Sequence, residues 1–308
     1  MIIDRTKMTE NSKSYIYVAI AVLSWSTVAT MFKISLKYFS HFEMLLVASF
    51  TALVVYAVTL LIQNKWKLLK DTPPKEWLRF ALVSLLNPVS YYLILFKSYA
   101  LLPAQIAQPI NYFWPIILLI LLAIVARKSI PAIKYIGMLM SFVGVVIISL
   151  GTGGLAGRSL PVGGLLLALL SAFIWATYWI VNNQNKHTDS VVALFITFLF
   201  GSVYLLFISF FMNIDLRSMQ GLMSSMYVGV CEMGIPFIFF GLAIKKTSNS
   251  TLVNQLCYLA PFISLYFIHL ILGEQILTST YIGLLLIVVG IIFNEYLSGY
   301  ITKKKMLS

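Results

Sequence analysis

Charge is what this sequence has least of. Only 10% of its 308 residues are Asp, Glu, Lys or Arg, against about a quarter in soluble domains. With 60% hydrophobic residues and a mean hydropathy of +0.92, that scarcity excludes both a soluble globular chain and a disordered one. Cysteine is nearly missing: Cys231 and Cys257 both sit in apolar runs, which excludes a disulfide framework or a zinc spacing. Acid is sparse, and Asp4, Asp71, Asp189 and Asp215 all fall in tails or loops. The two intramembrane aspartates of a membrane aspartyl protease are therefore lacking. The 3 His form no cluster, and neither His-Glu-x-x-His nor Gly-x-Ser-x-Gly occurs. The Gly-rich stretch 151–157 lacks the Gly-Lys-Ser ending of a phosphate loop. No enzyme, metal or cofactor is expected. No ATP-binding domain is read in it either, so any pumping must draw on an ion or solute gradient, or on a partner.

What is present is a series of uncharged runs long enough to cross a bilayer, which needs about 20 apolar residues per helix. They predict an all-α membrane protein of ten transmembrane helices near 15–34, 42–63, 79–101, 104–126, 133–151, 161–182, 190–212, 221–243, 251–272 and 279–297. Barrel strands are excluded, because they are shorter and alternate apolar with polar. The net charge of +12 then reflects basic residues gathered in loops on one side, not a nucleic-acid partner. With the N-terminus inside, only Lys33, Lys37, Lys97, Arg158 and Arg217 of the 22 basic residues fall outside. That bias predicts both termini in the cytoplasm, within a bacterial inner membrane. The polar first fourteen residues read as a tail. The first span lacks a small-residue cleavage site and reads as a retained helix.

The two halves resemble each other. Tyr135-Ile136-Gly137 and Val143-Gly144 recur 146 residues later as Tyr281-Ile282-Gly283 and Val289-Gly290. The same offset carries Gln108 onto Asn254, Tyr112 onto Tyr258, and Pro115 onto Pro261. Trp25 faces Trp175 at an offset of 150. Five helices per half is an odd number, so the second half enters the membrane from the opposite side. The expected organisation is a 1–14 tail, a five-helix repeat over 15–151, an outer linker at 152–160, an inverted five-helix repeat over 161–297, and a basic 298–308 tail. Inverted repeats are a device of secondary transporters.

On these residues the chain resembles the drug/metabolite transporter superfamily, EamA-type, with Trp175, Pro261, Glu274, Gly283 and Gly290 fitting its outline in the second half. In the first half, Lys128 stands where the matching Glu would fall. Trp25-Ser26-Thr27, Asn111 to Pro115, and Ala172 to Tyr178 are similar to the aromatic amino acid exporter branch. That resemblance implies secondary export of amino acids or similar metabolites.

Side chains that could serve a solute lie inside the spans. Gln108, Asn111, Tyr112 and Pro115 share one face of the fourth span, next to Trp114, and Asn254, Gln255, Tyr258 and Pro261 repeat the pattern in the ninth. Amides are costly in lipid, so these faces should look into protein or a cavity, where they bond a solute or glue helices together. Trp25, Trp175, Tyr178 and Trp179 lie too deep for an interfacial belt and read as cavity wall or as packing between the halves. Pro88, Pro115, Pro236 and Pro261 lie within spans as static kinks or as hinges for alternating access, Asn87-Pro88 with Tyr91 and Tyr92 being the sharpest. Glu232 is the one acid deep in a span and is expected to be protonated or paired, with proton coupling, solute-amine binding or a structural bond as its possible uses. The expected partners are a small-molecule solute, the bilayer and a proton gradient, with the chain a monomer or homodimer. A channel-like or facilitative permease is the alternative.

Overall fold

The computed structural model describes residues 5–125, 127, 130, 132–150, 160–182, 188–248 and 250–294. Every regular element among them is helical. In chain order these are α1 (Arg5–Ser35), α2 (His41–Ile62), α3 (Trp66–Asp71), α4 (Pro74–Ser84), α5 (Tyr91–Leu101), α6 (Ala104–Asn111), α7 (Trp114–Val125) and α8 (Lys134–Leu150). There follow α9 (Val162–Asn182), α10 (Ser190–Ser209), α11 (Met219–Val228), α12 (Ile235–Lys246), α13 (Ser250–Leu256), α14 (Leu259–Leu272) and α15 (Thr278–Ile292). Several join end to end. The described residues include 8 helical stretches long and apolar enough to cross a membrane, among them Pro74–Leu101 and Met219–Lys246. Two shorter apolar helices, Lys134–Ile148 and Thr278–Ile292, stand where the fifth and tenth spans are expected. The first helix starts at Arg5, so much of the expected tail is helical. Lys128, the glycines of 151–157, the linker at 152–159 and the C-terminal tail lie outside the described residues.

The packing partners come in matched sets. α1 packs on α12 and α14, as α9 packs on α5 and α7. α2 packs on α11 and the turn after it, as α10 packs on α4 and the turn after that. Two further pairs, α2 with α10 and α8 with α15, join equivalent elements directly. The α8–α15 pair is built on the glycines of the 146-residue offset. Gly137 meets the carbonyl of Gly290, Gly144 that of Gly283, and a side chain at any of the four would collide with facing backbone. Ser141 Oγ adds a hydrogen bond to the Ile287 carbonyl at 3.1 Å. In lipid, where burial of apolar surface gives no drive, such close backbone approach is what holds helices together.

Polar contacts sort to the two ends of the bundle. At one end lie the Glu10–Lys246 ion pair, the Lys65–Asp189 ion pair at 2.8 Å, and Arg79 on the Val181 carbonyl at 3.0 Å. Burial works against the charge of Asp189, but the Lys65 hydrogen bond and the Val191 and Val192 amides outweigh it and hold the carboxyl below its usual range. At the other end Glu43 closes a capping box with Ser40 and accepts the Asp215 amide at 2.7 Å. Lys33 donates to the Tyr99 and Leu102 carbonyls at 2.9 and 3.0 Å. Glu274 accepts the Ala104 and Gln105 amides at 3.0 and 3.3 Å. Lys33 thus satisfies the orphan carbonyls ending α5, while Glu274 satisfies the orphan amides opening α6.

Candidate functional site

Four helix breaks converge on the middle of the bundle, and proline explains most of them. A π-helical turn, Leu85–Ser90, separates α4 from α5; within it Asn87 leaves helical geometry at φ −142°, ψ 121°, just before Pro88. A second π-helical turn, Gly229–Gly234, separates α11 from α12. The helical stretches Ala104–Val125 and Leu252–Leu272 break at Tyr112-Phe113 and at Cys257-Tyr258. Pro115, Pro236 and Pro261 all sit in the first turn of the helix that resumes after a break. There a missing N–H costs nothing intrahelical, because the first turn has no acceptor for it.

The break before α12 frees backbone carbonyls inside the bundle, and other helices cap them. Pro236 has no N–H to offer the Glu232 carbonyl four residues back. Trp25 Nε1 of α1 takes that carbonyl at 3.4 Å, and the fully buried Tyr56 hydroxyl of α2 donates to the Met233 carbonyl. α2 can approach because residue 229 is glycine; a Cβ there would stand 2.6 Å from Thr51 Cβ. The break is thus held by side chains of the first half.

Glu232 projects from this break and is half-buried. The Tyr92 hydroxyl donates to its Oε1 at 3.2 Å, and none of the ion pairs among the described residues includes it. The hydroxyls of Tyr91, Tyr99 and Tyr112 stand within electrostatic range of it. Around it runs a connected set of rings. Tyr92 meets Tyr91 at 4.7 Å between centroids, and Tyr91 stacks on Trp175 at 4.5 Å. Trp175 stacks on Tyr178 at 5.3 Å and on Phe237 at 5.9 Å, and Phe237 meets Trp25 at 6.3 Å. Trp114 joins through Trp179 at 6.2 Å. The deep tryptophans of the two halves, Trp25 and Trp175, therefore share one ring, Phe237.

Polar residues expected at the site divide into engaged and unengaged. Asn111 is engaged: its Oδ1 accepts from Tyr91 at 3.3 Å and its Nδ2 donates to Ser171 at 2.9 Å. Gln108 Oε1 and Gln255 Nε2 are buried without a partner. Asn87 is wholly buried with both amide atoms unpaired, the Tyr178 hydroxyl lying near it without hydrogen-bond geometry. Tyr112 lies beside Cys257, so these two breaks adjoin, and Tyr258 is buried there. Asn254 is exposed on its helix. His269 is exposed and pairs through Nδ1 with the Glu274 carbonyl at 2.9 Å. Phe237 and Tyr56 carry no sequence signal that separates them from lipid-facing aromatics. A recess of about 260 Å³ between α14 and α15, lined by Phe262, Tyr266, His269 and Tyr281, contains none of the residues around Glu232.

Comparison with known proteins places this geometry in context. The profile of the EamA-like transporter family matches twice, over residues 12–150 and 162–296. The uncharacterized transporter YvbV of Bacillus subtilis is 28% identical over 228 residues, covering 72% of each chain. An uncharacterized transporter of Archaeoglobus fulgidus is 24% identical over 288 residues, 91% of this chain and 96% of its own. A solved crystal structure superposes on 94% of this chain and 99% of its own with a TM-score of 0.67, at 20% identity.

Proposed function

This chain belongs to the EamA-like transporter family, and from that premise we propose that it is a secondary active carrier that moves amino acids, aromatic or other, or similar small metabolites out of the cell by alternating access. A multi-pass membrane transporter follows from the family and the helices together. The finer reading is ten crossings in two inverted five-helix repeats, 15–151 and 161–297, with both termini cytoplasmic in a bacterial inner membrane. The two separate profile matches, the paired helix breaks and the matched packing partners support it.

One observation carries the choice of site. Glu232 is a half-buried acid at a helix break, without a basic partner among the described residues, ringed by aromatics from both halves. A buried acid left this way is expensive unless something mobile, a proton or a solute, satisfies it. In this reading Trp25, Tyr112, Trp114, Trp175, Tyr178 and Tyr258 form the aromatic wall, and Gln108, Asn111 and Asn254 are polar positions of the fourth and ninth spans. Pro88, Pro115, Pro236 and Pro261 mark the places where the halves bend. Glu232 is the coupling group: a carboxyl wetted from one side and then the other can load and release a proton.

The test is counterflow in proteoliposomes against a panel of amino acids and related metabolites. Saturable flux accelerated by solute on the opposite face supports a carrier, whereas flux that neither saturates nor shows counterflow identifies a channel-like permease.

A further inference from the structure

The link between α2 and α4 carries positive charge that its own residues leave unbalanced. Residues 63–75 hold Lys65, Lys67, Lys70 and Lys75 against one acid, Asp71. Lys65 is committed to Asp189 at 2.8 Å. Lys67, Lys70 and Lys75 are exposed, and none of them is in an ion pair among the described residues. Lys67 and Lys70 stand three residues apart on α3, where side chains are neighbours and like charges repel. Asp71, exposed beside them, pairs with neither.

We propose that this link binds the headgroups of anionic phospholipids. Its place on the molecule supplies the first argument. The chain ends α2 on Leu61 and Ile62 and resumes in α4 with Leu78 and Leu82, and all four are exposed. Both flanking stretches, His41–Ile62 and Pro74–Leu101, are long and apolar enough to cross a membrane, so their exposed apolar side chains meet lipid tails. A link between two such ends emerges at the headgroup layer. The second argument is that the lysines are held on a fixed support. The chain turns through Asn64, at φ 53°, and α3 lies between that turn and Pro73-Pro74. Leu69 packs on the core, and Trp66 meets the Phe195 ring of α10 at 5.4 Å. Trp66 also keeps part of its ring exposed, as an amphipathic ring does at a membrane interface. The third argument is charge. An anionic headgroup supplies the counter-ion that the link lacks, and each lysine near such a surface strengthens binding roughly fivefold. Since Lys65 and Trp66 tie the link to Asp189 and Phe195, a headgroup held there steadies the junction of α2 with α10.

Purified full-length protein in a neutral detergent decides this by thermal unfolding, titrated with dioctanoyl-phosphatidylglycerol, dioctanoyl-phosphatidylcholine or inorganic phosphate. The phosphatidylglycerol is expected to raise the midpoint saturably, and the other two to leave it unchanged. The triple variant Lys67→Gln, Lys70→Gln, Lys75→Gln is expected to bind that lipid at least tenfold more weakly. Removing the same number of charges from the C-terminal tail, by Lys303→Gln, Lys304→Gln, Lys305→Gln, is expected to change its affinity less than threefold. Raised salt should weaken wild-type binding, since the lysines are exposed to screening. An equal response to phosphatidylcholine identifies a tail-filling effect, and an equal response to phosphate a free-anion site; either overturns the proposal. So does an equal loss in the two triple variants, which would show attraction to net charge alone. Should the link variant unfold without lipid, the corresponding Arg triple variant must bind as wild type does, and its failure to do so counts against the site.

Discussion

The break between α4 and α5 and the break between α11 and α12 occupy corresponding places in the two halves, yet they are finished in opposite ways. In the second half the carbonyls of Glu232 and Met233 accept from Trp25 and Tyr56 of the first half. The side chain that emerges there is an acid with one neutral donor. In the first half the emerging side chain is Asn87, wholly buried, with the Tyr178 hydroxyl beside its amide but outside hydrogen-bond geometry. The chain bends at both places; the residues at each bend decide what chemistry it offers. In this account the second-half break presents an acid, and the first-half break an amide.

Substitutions that act on one break alone sharpen that contrast, and the largest effect is expected at Tyr56. Tyr56→Phe removes the hydroxyl that donates to the Met233 carbonyl inside the bundle, destabilising the protein by about 1.5 kcal/mol. Thermal unfolding in detergent reads it, and an unchanged midpoint would mean the second-half break does not depend on α2. Trp25→Phe keeps an aromatic ring against Phe237 but drops the 3.4 Å bond to the Glu232 carbonyl. A loss of about 1 kcal/mol is expected in the same assay.

Asn87→Ala should behave differently. It removes two buried polar atoms that have no partners, so the lost packing is offset, and the net change is expected within about 1 kcal/mol of zero. A loss as large as that of Tyr56→Phe would show that Asn87 is engaged and that the two breaks are alike. The smallest effect belongs away from both breaks. Asp189→Asn preserves an oxygen to cap α10 but gives up the ion pair with Lys65, at a cost of about 0.2–1 kcal/mol. Since folding lowers the Asp189 pKa, its contribution is present above the unfolded value of about 3.9 and fades as pH falls through the lower folded value. The stability gap between wild type and variant should be constant near pH 6 and shrink in the acid range below about 4.

Much of this molecule was legible in the sequence, for reasons particular residues make plain. Glu232 stood out because a deep acid is rare in lipid, and the glycines at 137, 144, 283 and 290 because they recur at one offset, though only the fold shows them meeting. The prolines announced irregular helices, and they do mark where three helices resume. What could not be read is tertiary. Only the fold brings Trp25 to the Glu232 carbonyl, or reveals that the Asn111 amide is engaged by Tyr91 and Ser171. Phe237 and Tyr56 sit in apolar runs where an aromatic facing lipid and one facing the site look the same. The roles of Lys33 and Glu274 were hidden similarly, because each satisfies backbone of a helix distant in sequence.

The most direct test of Glu232 as the coupling group is flux in proteoliposomes with and without a pH gradient, compared between wild type and Glu232→Gln. The gradient should accelerate wild-type flux, whereas the Gln variant, whatever its rate at equal pH, should run at the same rate with and without it. If the variant is accelerated by the same factor as wild type, Glu232 is a structural acid and the coupling lies elsewhere.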